Sequence, residues 1–191
     1  MRLHLIASLA ATLLMAAEVA AADRYVLDPA HTQVLFKADR FGLSNVFGTF
    51  AEVSGELMLD EENPENSSVR ATINVASLRS DNDTREGHLK SANWLDAAAI
   101  PEITFVSTNV DRIDDSSATV TGNLMVHGVT KEVTLDVSLK NIGTDPVSKR
   151  KAVGFSATAM LNRHDYGVSI AEKLIGADVA VSIETLGIAP Q

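Results

Sequence analysis

From Arg24 onward the chain keeps a two-residue rhythm of apolar and polar positions. Val53, Gly55, Leu57 and Leu59 alternate with Ser54, Glu56, Met58 and Asp60, and Val69, Ala71, Ile73 and Val75 alternate with Arg70, Thr72 and Asn74. Val133, Leu135, Val137 and Leu139 alternate with Glu132, Thr134, Asp136 and Ser138. The same period runs through Val153, Phe155, Ala157, Ala159 and Leu161, and through Val179, Val181 and Ile183. Successive side chains of a strand point to opposite faces, so each run predicts a strand with one buried and one wet face. Segments 32–38, 103–112 and 118–125 read the same way between turn residues, for a total of about eight strands.

Between the runs lie turn formers. Glu61-Glu-Asn-Pro-Glu-Asn66 predicts a solvated acidic loop, and Asp114-Asp-Ser-Ser117 and Val126-His-Gly-Val129 predict tight reversals. Thr144-Asp-Pro-Val-Ser-Lys-Arg-Lys151 predicts a longer hairpin end whose cations are solubilising charge. With no repeat and no linker, the strands belong to one domain.

One stretch breaks the rhythm. Residues 83–94 read as a helix, capped by Asp83 with Glu86 three residues on. Arg85, His88, Leu89 and Ala92 share one helical face, and Glu86, Lys90 and Asn93 share another. The Glu86–Lys90 spacing suits an exposed ion pair, so Arg85 and His88 are expected to face inward, as at a lid or mouth.

Met1 to Ala22 precede the pattern, with Arg2, an apolar run from Leu3 to Ala17 and three alanines at 20–22. This predicts a bacterial secretory signal peptide over 1–22, cleaved to leave a single domain over 23–191 in the periplasm. The apolar run is shorter than the roughly 20 residues of a membrane span. The chain has no cysteine, which excludes disulfides, thiolate nucleophiles, a lipoprotein anchor and Cys-ligated metals. A net charge of −9 without a basic stripe makes it a poor partner for nucleic acid. The same charge opposes stable residence on an anionic membrane but leaves room for brief contact with lipid. It does not fix an oligomeric state, and a homodimer stays open.

Regular strands joined by hairpins point to a sandwich or a closed barrel, and about eight strands is the size at which a barrel holds one small ligand. Valine, alanine, glycine and leucine dominate the inward sets and leave space inside. The expected apolar lining is Phe36, Phe41, Leu43, Phe47, Phe50, Ile73, Leu89, Trp94, Phe105, Leu124, Leu135 and Phe155, with Phe41, Leu43, Phe47 and Phe50 on a bent segment near an opening. Arg85 and His88, and then Arg163, His164 and Asp165, are the candidates for a polar mouth meeting the head of an amphipathic ligand. For Arg85 the structural alternative is capping of strand carbonyls or pairing with a buried aspartate. His127, in a turn, is read as structural. No His-x-x-x-His, His-Glu-x-x-His or Gly-x-Ser-x-Gly pattern occurs, so neither a metal site nor a catalytic residue is assigned.

Six ordered motifs carry a resemblance. They are Tyr25-Val-Leu-Asp-Pro-Ala-His31, Gly48-Thr-Phe50, Thr84-Arg-Glu-Gly-His-Leu-Lys-Ser91, Pro101-Glu-Ile-Thr-Phe-Val-Ser-Thr108, Gly122-Asn-Leu-Met-Val-His-Gly-Val-Thr-Lys131 and Asn162-Arg-His-Asp-Tyr-Gly167. Together they resemble the YceI-like family of secreted bacterial proteins along essentially the whole mature chain. The resemblance implies an all-β, eight-stranded antiparallel, lipocalin-like barrel with one short helix near the mouth. It further implies an apolar tunnel holding a polyisoprenoid chain, such as the tail of an isoprenoid quinone or polyprenyl phosphate, and supplies no catalytic residue. The chain is therefore expected to be a binding protein and not an enzyme, with no cofactor besides the bound lipid. Glu86 stands where the family usually has aspartate, and Trp94-Leu95 where it often has two aromatics. Two alternatives stay open at this stage. One is an enzyme using His88 or His164 as general base on an amphipathic substrate in the same pocket. The other is a stress-related protein-interaction module.

Overall fold

The computed structural model describes residues 22–191, so the leader assigned to 1–22 lies, but for Ala22, outside the described residues. The strands are β1 (Asp23–Leu27), β2 (Gln33–Arg40), β3 (Ser44–Phe50), β4 (Val53–Leu59), β5 (Ser68–Asn74) and β6 (Leu78–Arg79). After helix α1 (Asp83–Lys90) come β7 (Glu102–Arg112), β8 (Ser117–Val126), β9 (Val129–Thr144), β10 (Lys151–Asn162) and β11 (Ile175–Ile188).

These segments make a closed, antiparallel, eight-stranded barrel because three of the eight strands are bent. β1 continues into β2, β3 into β4, and β5 into β6 through the 3-10 turn Val75–Ser77. β11 closes the sheet by pairing with both parts of the first bent strand. Its residues Ile175 to Glu184 run along Arg40 to Gln33, and Gly187 and Ile188 then meet Leu27 and Val26. Closure removes the unpaired edge that an open sheet would expose. Segment 44–50, expected only as a bent apolar stretch, is strand β3, and 23–27 is a further strand segment. The count of eight survives because each continues a strand already recognised.

Alternation places the core. Val34, Phe36 and Ala38 of β2 face inward, as do Val133, Leu135 and Val137 of β9 and Phe155, Ala157, Ala159 and Leu161 of β10. On β7 the inward residues Phe105 and Val110 are five apart, which a regular strand forbids. The register slips between Ser107 and Asn109, and Thr108 is the extra residue that restores the facing.

Antiparallel order also defines two ends. Hairpin 40–44, α1, the His127–Gly128 turn and segment 163–174 gather at one, hereafter the helix end. Loops 60–67, 113–116 and 145–150, with Asp23 and the C-terminus, gather at the other. There Lys151 Nζ donates to Asp23 Oδ2 at 2.7 Å and lies 2.6 Å from Glu61 Oε1, tying the start of β1 to β10. These carboxylates hold the ammonium pKa well above its ordinary value.

Gly122 shows how closely the wall is packed. A Cβ there would lie 2.5 Å from Phe105 Cζ and 2.6 Å from the Val106 carbonyl oxygen, which as backbone cannot swing aside. Gly122→Val is expected to cost about 1–3 kcal/mol through overpacking. At roughly 2–4 °C per kcal/mol for a domain of this size, thermal unfolding should register the loss, and an unchanged midpoint would contradict the close approach.

Candidate functional site

The inward side chains do not fill the barrel. They enclose a cavity of about 730 Å³, within the roughly 300–1,000 Å³ usual for small-molecule sites. Its wall is apolar, and the space comes from small residues such as Ala38, Ala71, Ala118, Ala157 and Ala159 at inward positions. Arg40, Asn82, Thr84 and His88 line the cavity while remaining exposed, and all four belong to the helix end; Ser68 is exposed at the other. The helix end is therefore the more open of the two.

Of the expected apolar lining, Phe36, Phe50, Ile73, Leu89, Trp94, Phe105, Leu124, Leu135 and Phe155 line this cavity. The rings of Phe36 and Phe50 lie 5.8 Å apart, tilted by 47°. Phe41, Leu43 and Phe47 do not line it. On β3 the inward set is Val46, Gly48 and Phe50, so Phe47 has the wrong parity and is 64% exposed. Phe41 and Leu43 sit in the hairpin turn instead, with Leu43 84% exposed. Strand parity alone separates Phe47 from Phe50, since residues three apart cannot share a strand face.

The helix differs from expectation at its start. Asn82, not Asp83, is the cap, its side-chain oxygen accepting from the Arg85 N–H at 2.9 Å. Arg85, His88 and Leu89 line the cavity as expected, whereas Ala92 lies beyond the helix and is exposed. Glu86 was expected on the wet face. Instead its carboxylate folds back and accepts the Ser80 N–H at 2.6 Å, with Lys90 Nζ 4.0 Å away. The Ser80 N–H, stabilising the charged form, holds the Glu86 carboxyl below the ordinary glutamate range. Arg85 closes the same knot: Nε donates to Ser80 Oγ at 3.0 Å and Nη2 to the Ser80 carbonyl. Its role as a backbone clamp, weighed from sequence, is realised at Ser80.

Arg163 is the second clamp. It is buried, forms no ion pair among the described residues, and spends its donors on four carbonyls: Gly176 (3.0 Å), Val168 (2.6 Å), Ile170 (2.9 Å) and Ile175 (2.9 Å). Its guanidinium carbon lies 5.6 Å from the centroid of the Trp94 ring. Burial disfavours its charged form and lowers its pKa. His164 and Asp165 do not line the cavity. Residues 163–166 form a 3-10 turn, not a strand, and such a turn eclipses i with i+3. Arg163 and Tyr166 therefore face inward together, leaving Asp165 exposed and His164 off the cavity wall. The general-base role considered for His164 would therefore not act from the cavity wall.

Arg40, Asn82, Thr84 and Tyr166 line the cavity although the sequence reading passed over them. Arg40 was within reach, because it extends the inward series Val34, Phe36, Ala38 by one step. Among the described residues, no group of three or more His, Asp or Glu is placed to hold a metal ion, and no helix is long and apolar enough to cross a membrane.

Arg163→Leu should strand four carbonyls and cost about 3 kcal/mol or more. Amide exchange in 168–176 should quicken more than in β8 and β9, as hydrogen exchange with mass readout would show. Glu86 adds a pH dependence with a definite sign. Its folded pKa is depressed, so its contribution is present above the ordinary glutamate pKa and fades as pH falls through the lowered value. Protection of the Ser80 amide should weaken across that acidic window, and in Glu86→Gln it should stay flat there.

Residues 25–186 match the family model of the YceI-like domain. A UPF0312 protein of Pseudomonas putida is 39% identical over 159 residues, 82% of each chain. Among solved structures, Burkholderia cenocepacia BcnA superposes with a TM-score of 0.76 at 21% identity, covering 84% of this chain and 98% of BcnA. A polyisoprenoid binding domain from Saccharophagus degradans, implicated in plant cell wall breakdown, gives a TM-score of 0.66 at 16% identity over 87% of this chain and 98% of that one. At those identities the two structures attest the shared fold. The match over residues 25–186 and the close relative together make this chain a member of the YceI-like domain family.

Proposed function

We propose that the protein is a periplasmic binding or carrier protein for a long isoprenoid lipid, an isoprenoid quinone or a polyprenyl phosphate, and not an enzyme. The observation that carries this reading is the 730 Å³ cavity, apolar along most of its wall, with its arginines and histidine gathered toward its more open end. A preformed apolar cavity takes up an apolar chain because each Å² of tail removed from water contributes roughly 25 cal/mol. A few hundred Å² therefore yields several kcal/mol before the costs of association. Tail burial supplies affinity without discriminating among heads; His88, Arg85 and Arg40 at the polar end are the groups that select one. The polyisoprenoid binding of the Saccharophagus domain, which shares the fold, supports the same class of cargo. The leader over 1–22 would deliver the protein to the compartment.

Native mass spectrometry of the exported protein, followed by organic extraction, tests this directly. A stoichiometric isoprenoid is the expected result. A clean apo mass that persists after incubation with isoprenoid quinones and polyprenyl phosphates would overturn it. Ala157→Trp, which pushes an indole into the cavity from β10, should leave the protein folded and lower lipid occupancy by about tenfold or more, a loss of roughly 1.4 kcal/mol per decade.

A further inference from the structure

The residues that failed to line the cavity form a surface of their own. Leu43 and Phe41, the latter 41% exposed, occupy the turn of the β2–β3 hairpin. Beside it runs segment 168–174, where Ile170 is 44% and Leu174 52% exposed. The two loops are joined by the Phe41 N–H donating to the Leu174 carbonyl at 2.8 Å. Phe41 is held at φ 61°, a left-handed conformation that bulky residues rarely adopt, so the loop meets a local cost to keep the ring at its tip. The apolar band continues on the outer wall. Phe47 pairs with Lys37, Lys37 with Ala180, and Ala180 with Met160, so the four stand in one cross-strand row. Exposed apolar tips of this extent on a soluble barrel mark a contact surface.

We propose that these two loops dock the barrel on a lipid bilayer with the more open end of its cavity toward the membrane. Two observations select a bilayer over a protein partner. First, the tips adjoin the cavity itself: Arg40 precedes Phe41, Ile175 follows Leu174, and both line it. Second, charge is sorted along the barrel. Loops 60–67, 113–116 and 145–150, at the far end, carry seven carboxylates (Asp60, Glu61, Glu62, Glu65, Asp114, Asp115, Asp145) against Lys149 and Arg150. The docking loops, 40–44 and 168–174, carry Arg40 and Lys173 against Glu172, with the Asp39 carboxylate accepting the Gly42 N–H beside them. The loops that would meet phosphate headgroups are thus free of the net negative charge that the far-end loops carry. Arg40, stacked 4.1 Å over the Phe41 ring, and Lys173 have stems long enough to sit among headgroups while their neighbours enter the acyl boundary. The cargo would then pass between bilayer and barrel without crossing water. This step rests on the proposed lipid cargo.

The test is flotation of the exported protein, its mass checked for loss of the leader, with vesicles of phosphatidylethanolamine and phosphatidylglycerol. The wild type should float with the vesicles, and Phe41→Asp/Leu43→Asp should lower its partitioning by about tenfold or more. Aspartate tolerates the left-handed conformation at position 41, so the variant should fold, as its thermal midpoint would verify. Val147→Asp, at an exposed apolar position of the far end, should float like the wild type. A wild type that stays in solution, a tip variant that floats unchanged, or an equal loss in Val147→Asp would each overturn the proposal. So would a dimer that the tip substitutions dissolve, which would assign the face to a second copy. Ala157→Trp separates the two readings: docking predicts that it floats normally whether or not it takes up an isoprenoid quinone.

Discussion

A closed antiparallel sheet gives every strand an inside and an outside, and the volume left inside is decided one side chain at a time by what the alternation sends inward. In this chain it sends alanine, valine and leucine from most strands and large rings from only a few. Those rings are not spread evenly. Phe36 faces Gly48 across β2 and β3, and Phe105 lies over Gly122 on the neighbouring strand, so a bulky residue is matched by an absent side chain beside it. The wall is tight and the lumen open for the same reason. The bulge at Thr108 and the bends in the first three strands are what closing the sheet demands of the backbone.

The polar groups at the helix end serve the scaffold first. Arg163 binds four carbonyls of 168–176, and Arg85 binds Ser80 while Glu86 takes the Ser80 N–H. Arg163 spends its donors on backbone carbonyls, which is how a buried guanidinium that forms no ion pair among the described residues is tolerated, while Arg85 gives Nε and Nη2 to the hydroxyl and carbonyl of Ser80. They fix the loop that carries Leu174 and the turn that launches α1, and so shape the mouth. His88 makes no side-chain hydrogen bond among the described residues, and its position on the cavity edge leaves it available to a ligand.

How far the sequence could be read follows from which signals are periodic. Alternation marked eight strands and the facing of Phe36, Phe155 and Leu135 because period two is imposed by the backbone. It failed where the backbone leaves that period. The 3-10 turn at 163–166 pairs Arg163 with Tyr166 rather than alternating them. Phe41, Leu43 and Phe47 were misplaced although the even-numbered inward series of β2 continues unbroken into β3, so parity itself excludes them. The cap shifted by one residue because Asn82 and Asp83 are both good caps and only the fold decides between them. Glu86 was misplaced because a helical wheel cannot see that the chain preceding the helix, at Ser80, passes close enough to compete for a carboxylate.

β11 pairs with β1 and β2 at once, so the seam of the barrel joins Val26 to Ile188, nearly the full length of the described chain. Bringing such distant segments together carries a loop-closure entropy cost before any contact offsets it, and folds dominated by non-local pairing form slowly. A hairpin such as β8–β9 can form as soon as its own residues are available, but no lumen exists until the last strand of the chain has been made. A chain made N-terminus first would therefore pass through an unclosed state, with its edges unpaired and its inner face wet. Completion of the fold and enclosure of the lumen would then arrive in the same late step.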